Sequence, residues 1–315
     1  MRSERGFALI AALWLLVALS VVGLEFGLRA RVRRLAAANV QEAGRAAAAA
    51  DAGVADAQAA LARLADGSSD GKQPDPNRLL DPWAECATLF SDTTTIGDAR
   101  YIVTLRDASA ALNLNRASEE ELRRFFGAFR VDFGAADRLA QAIMDWQDAD
   151  DFHRARGAER EDYLQAGAHV LPTNRPFDHL SDLRHVAGMT PDLYRVVRPH
   201  LTLLGTGQIN LNSAARPVLL AVPGMTEQAV EVALRRRTGS RPIRSLAQLA
   251  DELPSGPRTA LQASFATLSA HLVFETREII ADADGWTDGS PVHGSVEALF
   301  ARGGTNAFLV WRSAR

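Results

Sequence analysis

The chain has 315 residues, a formal net charge of −3 and one cysteine, Cys86. A lone thiol excludes an internal disulfide, and a mildly acidic balance provides no bulk positive field to gather nucleic acid or anionic lipid. Arginine almost replaces lysine, Lys72 being the single lysine, and nothing functional follows from that.

The N-terminus carries the most information. Met1 to Gly6 is a short basic segment, and Phe7 to Leu24 is an uncharged apolar run of 18 residues. At ~1.5 Å per residue the run reaches roughly 27 Å, enough to cross a hydrocarbon core once. After it come Glu25, Phe26 and Arg29, Arg31, Arg33 and Arg34 in place of small residues suited to signal-peptide cleavage, so the apolar segment is expected to be retained. By the positive-inside rule alone those four arginines, against Arg2 and Arg5, would hold the C-terminal part inside. The Gly6 and Phe7 junction resembles the leader of type IV pilins and pseudopilins. That resemblance implies a prepilin peptidase cutting after Gly6, methylation of Phe7, and a head outside the inner membrane. Loss of Arg2, Glu4 and Arg5 with such a leader changes the charge from −3 to −4.

From Leu28 to Leu64 there is no proline, and Ala43, Ala47, Ala50, Val54, Ala57, Leu61 and Leu64 recur at 4,3 spacing. The pattern predicts one helix from about Phe7 to Asp66, stopped by Gly67 to Gly71. So many alanines permit close approach but bury little area, so a sheet or neighbouring helices must cover the stripe; a coiled-coil homodimer fits less well. After a linker at 73–83, Arg100 to Arg106 alternates like a strand. Three further strands are expected at Thr267 to Ile280, Val292 to Ala301 and Asn306 to Arg312. Asp282 to Asp288 reads as hairpin-turn chemistry.

Everything between reads as helix. Leu112 to Leu122 echoes Ile209 to Leu219, with Ser118 and Ser213 as candidate caps, and Val186 to Thr190 echoes Val222 to Thr226. These look like helix-hairpin-helix units, and Ile209 to Leu253 is similar to competence-type DNA-binding repeats. A membrane-anchored DNA receptor is therefore the alternative function. Against it, the second glycine of the phosphate-binding turn is replaced by Thr190 and Thr226, and Arg235 to Arg237 on an acidic chain is a small cationic footprint.

Asp145 to Tyr163 concentrates acids at a helix end. Counted as a calcium loop from Asp148, acids fall at places one, three and twelve (Asp148, Asp150, Glu159), with His153 where the turn glycine belongs. Arg154, Arg156 and Arg160 offer the competing reading, internal ion pairs. His153, His169, His179 and His185 lack ligand spacing, and no nucleophile elbow, phosphate loop or dinucleotide fingerprint is present, so an enzyme is not expected.

The leader, Asp107 to Asn115, Ile143 to Asp151 with Gly157 to Glu159 and Tyr163, Thr173 to Pro176, and Ile209 to Asn212 together resemble the minor pseudopilin K family of type II secretion systems (general secretion pathway K). The resemblance implies an α+β pseudopilin fold, a long N-terminal helix plus a small antiparallel sheet with a large inserted α-helical domain. Its expected divisions are leader 1–6, membrane segment 7–28, stem 29–66, linker and first strand 67–106, insertion 107–265 and closing strands 266–315. It implies calcium in the acidic region, carried onto Asp148, Asp150, Asp151 and Glu159. It also implies a tip complex with minor pseudopilins I and J, contact with the major pseudopilin and secreted substrates, a single-pass inner-membrane location with a periplasmic head, and no nucleic acid. Major pilins carry a glutamate at the fifth mature residue; here that residue is Ala11, and an acid unpaired in lipid would be costly. A subunit without it suits an end of a fibre.

Overall fold

The computed structural model describes residues 3–66, 81–239 and 241–314. The expected helix stop at Gly67 to Gly71 and most of the linker lie outside the described residues, as do the side chains of Gly6, Phe7 and Ala11. Helix α1 runs Ser3–Ala65 without a break, about 95 Å at the standard rise. From Ala12 onward it contains an 18-residue window of mean hydropathy 1.7 with no part buried, long and apolar enough to cross a membrane. Large apolar side chains stay exposed from Leu13 through Leu28 and Val32 to Val40.

The C-terminal part of α1 lies on a sheet. Its buried residues are Ala46, Ala49, Ala50, Val54, Ala57, Ala60, Leu61 and Leu64, so Ala43 and Ala47 of the expected seam are exposed. The reason is geometric: a straight helix drifts ~20° per heptad from a strict 3.5-residue repeat, and only a supercoiled partner would hold it in step.

The chain resumes with Trp83, fully buried, whose indole Nε1 donates to the carbonyl of Leu61 at 2.9 Å and ties the return segment to the helix. Strands β1 (Thr94–Ile96) and β2 (Ala99–Asp107) form a hairpin. In β2, Ala99, Tyr101, Val103 and Leu105 face the helix, and the Tyr101 hydroxyl donates to Asp56 Oδ2 at 3.1 Å.

The chain then leaves the sheet for a helical lobe made of two related units. The first opens with β3 (Leu112–Asn113), continues through α2 (Glu119–Ala128), α3 (Phe133–Gln147), α4 (Arg160–Gln165), a 3-10 helix over Leu180–His185 and α5 (Pro191–Val197), and closes with β4 (Leu201–Thr202), which pairs parallel with β3. The second opens with β5 (Ile209–Asn210), continues through α6 (Arg216–Ala221), α7 (Glu227–Thr238), α8 (Leu246–Asp251), α9 (Ser255–Ala263) and α10 (Phe265–His271), and closes with β6 (Leu272–Val273), parallel to β5.

The Asn-Leu-Asn motif explains why the sequence repeats. In each unit the first Asn (Asn113, Asn210) accepts through Oδ1 from the backbone N–H of the second. The second then clamps a distant backbone: Asn115 exchanges hydrogen bonds with N and O of Phe177 (2.9 and 3.0 Å), and Asn212 with N and O of Ile243 (2.9 and 2.8 Å). Asn212→Ala leaves a buried N–H and C=O without partners, and about 2–3 kcal/mol of unfolding free energy should be lost in urea titrations; a loss under ~0.5 kcal/mol would mean that water replaces the amide. The Val-x-Gly-Met-Thr echoes are also real locally: Gly188 and Gly224 sit at φ +88° and +84°, and Thr190 and Thr226 cap α5 and α7. They occupy different joints of the two units, however. Ser118 caps α2 as expected, whereas the N-cap of α6 is Ala215 and the Ser213 hydroxyl donates instead to Asp107 Oδ2 at 2.6 Å.

The sheet resumes with β7 (Glu278–Thr287), β8 (His293–Gly303) and β9 (Asn306–Ala314), giving the antiparallel order β1-β2-β7-β8-β9. Two expectations are corrected here. Residues 265–271 are helix, so the strand placed at Thr267 to Ile280 begins only at Glu278, and the insertion extends past 265. Asp282 to Gly285 lies inside β7, where Ile279, Ala281, Ala283 and Gly285 point at α1 while Asp282 and Asp284 face outward, Asp282 pairing with Arg106.

Candidate metal centre

The acids meet where α3 ends. Asp145 lies in the last turn of α3 and is completely buried, beside Trp146, which stacks on Phe177 (6.0 Å) and meets Tyr163 edge-on. The following loop doubles back along the helix. The Arg154 backbone N–H donates to Asp145 Oδ2 at 3.1 Å, and that of Arg156 to Gln141 Oε1 at 2.8 Å. Gly157 must be glycine, because a Cβ there would stand 1.7 Å from Asp145 Oδ2. Glu159 then starts α4, its N–H satisfied by Asp162 Oδ2 at 2.9 Å.

This fold-back brings carboxylate oxygens of Asp145, Asp148 and Glu159 within 4.8 Å of one another. Arg154 is the counter-ion, its Nη1 lying 2.5 Å from Asp145 Oδ1 and 2.6 Å from Asp148 Oδ2. One guanidinium among the three acids leaves a net charge of −2 if all ionise. The deficit falls on Glu159: it is 2% exposed, and its carboxylate oxygens, like Asp148 Oδ1, have no donor at full hydrogen-bond geometry, the backbone N–H groups that open α4 compensating them only in part. Burial, then the charges of Asp145, Asp148 and Asp151, push the Glu159 carboxyl up to about 7. Buried oxygens aimed at each other without full hydrogen bonds are what a hard cation would satisfy, and an all-carboxylate set suits Ca²⁺ or Mg²⁺ rather than zinc.

Of the four residues chosen from sequence, Asp148 and Glu159 converge. Asp150 and Asp151 are exposed; Asp150 Oδ1 accepts from the Phe152 N–H and Asp151 Oδ1 from Asn174 Nδ2. Asp145 was missed, although its position three residues before Asp148 puts both on one helix face. The arginines divide: Arg154 pairs inside the cluster, Arg156 reaches Asp137 at 3.6 Å, and Arg160 is exposed.

Elsewhere, two of the three arginines considered for phosphate contact are structural. Arg237 donates through Nη2 to the carbonyls of Leu211 and Ala214, with burial lowering its pKa, and Arg236 pairs with Glu252 at 2.9 Å. Cys86 is buried, its thiol pushed up to about 12 by desolvation and then by Asp107 and Asp81, so it is inert at neutral pH.

Comparison with known proteins agrees with this architecture. Type II secretion system protein K of Klebsiella pneumoniae is 31% identical over 165 residues, covering 47% of this chain and 49% of its own. That of Pseudomonas aeruginosa is 28% identical over 246 residues, covering 73% and 72%. The chain thus spans about half the length of the Klebsiella relative. A chain in the crystal structure of the GspK-GspI-GspJ complex from the enterotoxigenic Escherichia coli type 2 secretion system superposes with a TM-score of 0.60 at 18% identity, over 91% of this chain and 99% of that one. Residues 102–206, which span most of β2, the acid cluster and the first lobe unit, match the family described as Type II secretion system (T2SS), protein K, and over that stretch the match agrees with the resemblance read from the sequence.

Proposed function

We propose that this protein is a minor pseudopilin at the tip of a type II secretion pseudopilus, where it starts or caps the fibre, limits its length and takes part in exporting folded proteins across the outer membrane. Its role is structural. Cleavage after Gly6, an inner-membrane anchor in the apolar part of α1 and a periplasmic head belong to the same reading. The observation that carries it is the division of α1: the uncharged run is exposed from Leu13 to Leu24, with Phe26, Leu28, Val32, Leu35 and Val40 exposed among charged residues beyond it, while buried residues between Ala46 and Leu64 are seated on the sheet. Such a rod has one half free for lipid or for neighbouring helices in a fibre and the other fixed to a head. The wide two-unit lobe would crowd a shaft built from slim subunits, which favours an end position.

The proposed partners are minor pseudopilins I and J. Co-expression of the full chain with both, followed by solubilisation and capture of this chain, should recover a 1:1:1 complex; recovery of this chain alone removes the tip assignment. We further propose that Asp145, Asp148 and Glu159 hold calcium. The cation would neutralise the cluster and pin the 148–159 loop to α3, and it has no chemical step to perform.

A further inference from the structure

We propose that β9 is a docking edge for the head of a second subunit of the same plan, an apolar rod carrying a small antiparallel sheet; the inference rests on the pseudopilin reading above. β9 is last in the strand order, so one side of Asn306–Ala314 has no strand beside it. Exposed edges are normally blunted by short length, proline, charge or a bulge; β9 has nine residues, no proline, one register shift and one charge. Here the edge presents four consecutive large apolar residues, Phe308, Leu309, Val310 and Trp311, 54, 45, 58 and 39% exposed. The next residue, Arg312, is paired with Asp51 of α1. A register shift sets Leu309 opposite Phe300 and Trp311 opposite Leu299, so Val310 has no residue across from it on β8. The opposite edge contrasts with it: β1 is three residues long, Thr94–Ile96, and has one apolar side chain.

The occupant follows from where β9 lies. The strand descends along α1, its Ala307 carbonyl accepting from Gln58 Nε2 at 3.0 Å and its Arg312 reaching Asp51. Its end at Ala314 lies opposite Val296 on β8, close to Gly294, which packs against Ala46 and Ala47. Seven residues further down the rod, about 10 Å, stands Val40, the first of the exposed apolar residues leading into the anchor. A partner whose apolar helix runs beside this one therefore brings its head level with β9. Against the apolar run of Phe308 to Trp311 it would offer an extended apolar segment, with backbone N–H and C=O groups forming the ladder and alternate side chains meeting Phe308 and Trp311.

The test uses the full chain co-expressed with minor pseudopilins I and J, comparing wild type with Val310→Glu, Phe308→Glu and, as control, Ile96→Glu on the β1 edge. Both β9 variants should lose about tenfold or more of the captured partner, as expected for a charge placed in a desolvated contact, with thermal midpoints of the purified chain unchanged. Ile96→Glu should capture normally. Normal capture by both β9 variants overturns the edge and leaves the pseudopilin reading standing, whereas failure of wild type to capture either partner removes both. A Val310→Cys variant that crosslinks to a second copy of this chain, and not to I or J, also overturns it.

Discussion

Gly285→Val and Gly294→Val should each cost about 3 kcal/mol or more of unfolding free energy, at the upper end of overpacking penalties. The two glycines face each other across β7 and β8 at the point where α1 lies closest to the sheet. A Cβ at Gly285 would stand 2.4 Å from the backbone N of Ala50 and 2.5 Å from the carbonyl of Ala46, and one at Gly294 would stand 2.6 Å from the backbone N of Ala47. Backbone atoms inside a helix cannot swing aside as a side chain can, so the helix must lift as a unit. Lifting it uncovers Val54, Leu61 and the facing residues Val103, Ala283 and Phe300, which form one core. Gly53→Ala is the internal comparison: its Cβ would meet Tyr101 and Val103 side-chain carbons at 3.0 Å, which can shift, so its cost should be about 1 kcal/mol. Denaturant titration of the three variants measures the order, and equal small losses would mean that the close approach does not hold the stem.

The second large effect concerns Glu159. Its ordinary carboxyl value of 4.5 is raised to about 7, so the folded state holds this proton more tightly than the unfolded chain does. By linkage the contribution to metal-free stability is full below about 4.5 and is lost as pH rises through about 7. The proposed calcium would have to displace the same proton, so its apparent affinity should fall about tenfold per unit as pH drops below 7 and level off above it. Thermal melts of the full chain with calcium and with chelator check this: the calcium-induced gain should be large near pH 8 and shrink near pH 6. Glu159→Gln should abolish the gain and flatten the metal-free pH dependence, because the amide removes both the buried charge and its proton. A wild-type melting curve indifferent to calcium at both pH values would leave Arg154 as the cluster's whole compensation and end the calcium proposal.

What could be read from the sequence followed from how each element is stabilised. The stem was legible because one stripe of Val54, Ala57, Leu61 and Leu64 meets one surface, and the lobe repeat because each Asn-Leu-Asn motif performs the same backbone clamp. β7 was obscured because its helix-facing side is Ile279, Ala281, Ala283 and Gly285: contact this close requires small residues, and small residues carry little hydrophobic signal. Its outward Asp282 and Asp284 then imitated a turn. At the acid cluster the loop residues were visible as charges, but which of them converge depends on the fold-back that Gly157 permits. Asp145 opens the acidic stretch in the sequence but was left out of the ligand set, since an acid on the apolar face of α3 does not announce its partner. Arg154 could be read equally as rival or companion of a cation, and in the folded chain it bridges Asp145 and Asp148 while leaving Glu159 unmatched.

The lobe enters and leaves through one doorway. Asp107 at the end of β2 stands opposite Ile279 at the start of β7, so the frame's hydrogen-bonded ladder is already closed on either side of a detour of roughly 170 residues. Asp107 also latches the threshold, holding Asn210 and Ser213 of the second unit while Thr276 hands its N–H to Asp81 at 2.9 Å. Geometrically, the detour is a cassette that a tight turn could replace without disturbing the order of the remaining strands. What the head presents at its far end can therefore change with the cassette while the ladder of β2, β7, β8 and β9 stays as it is.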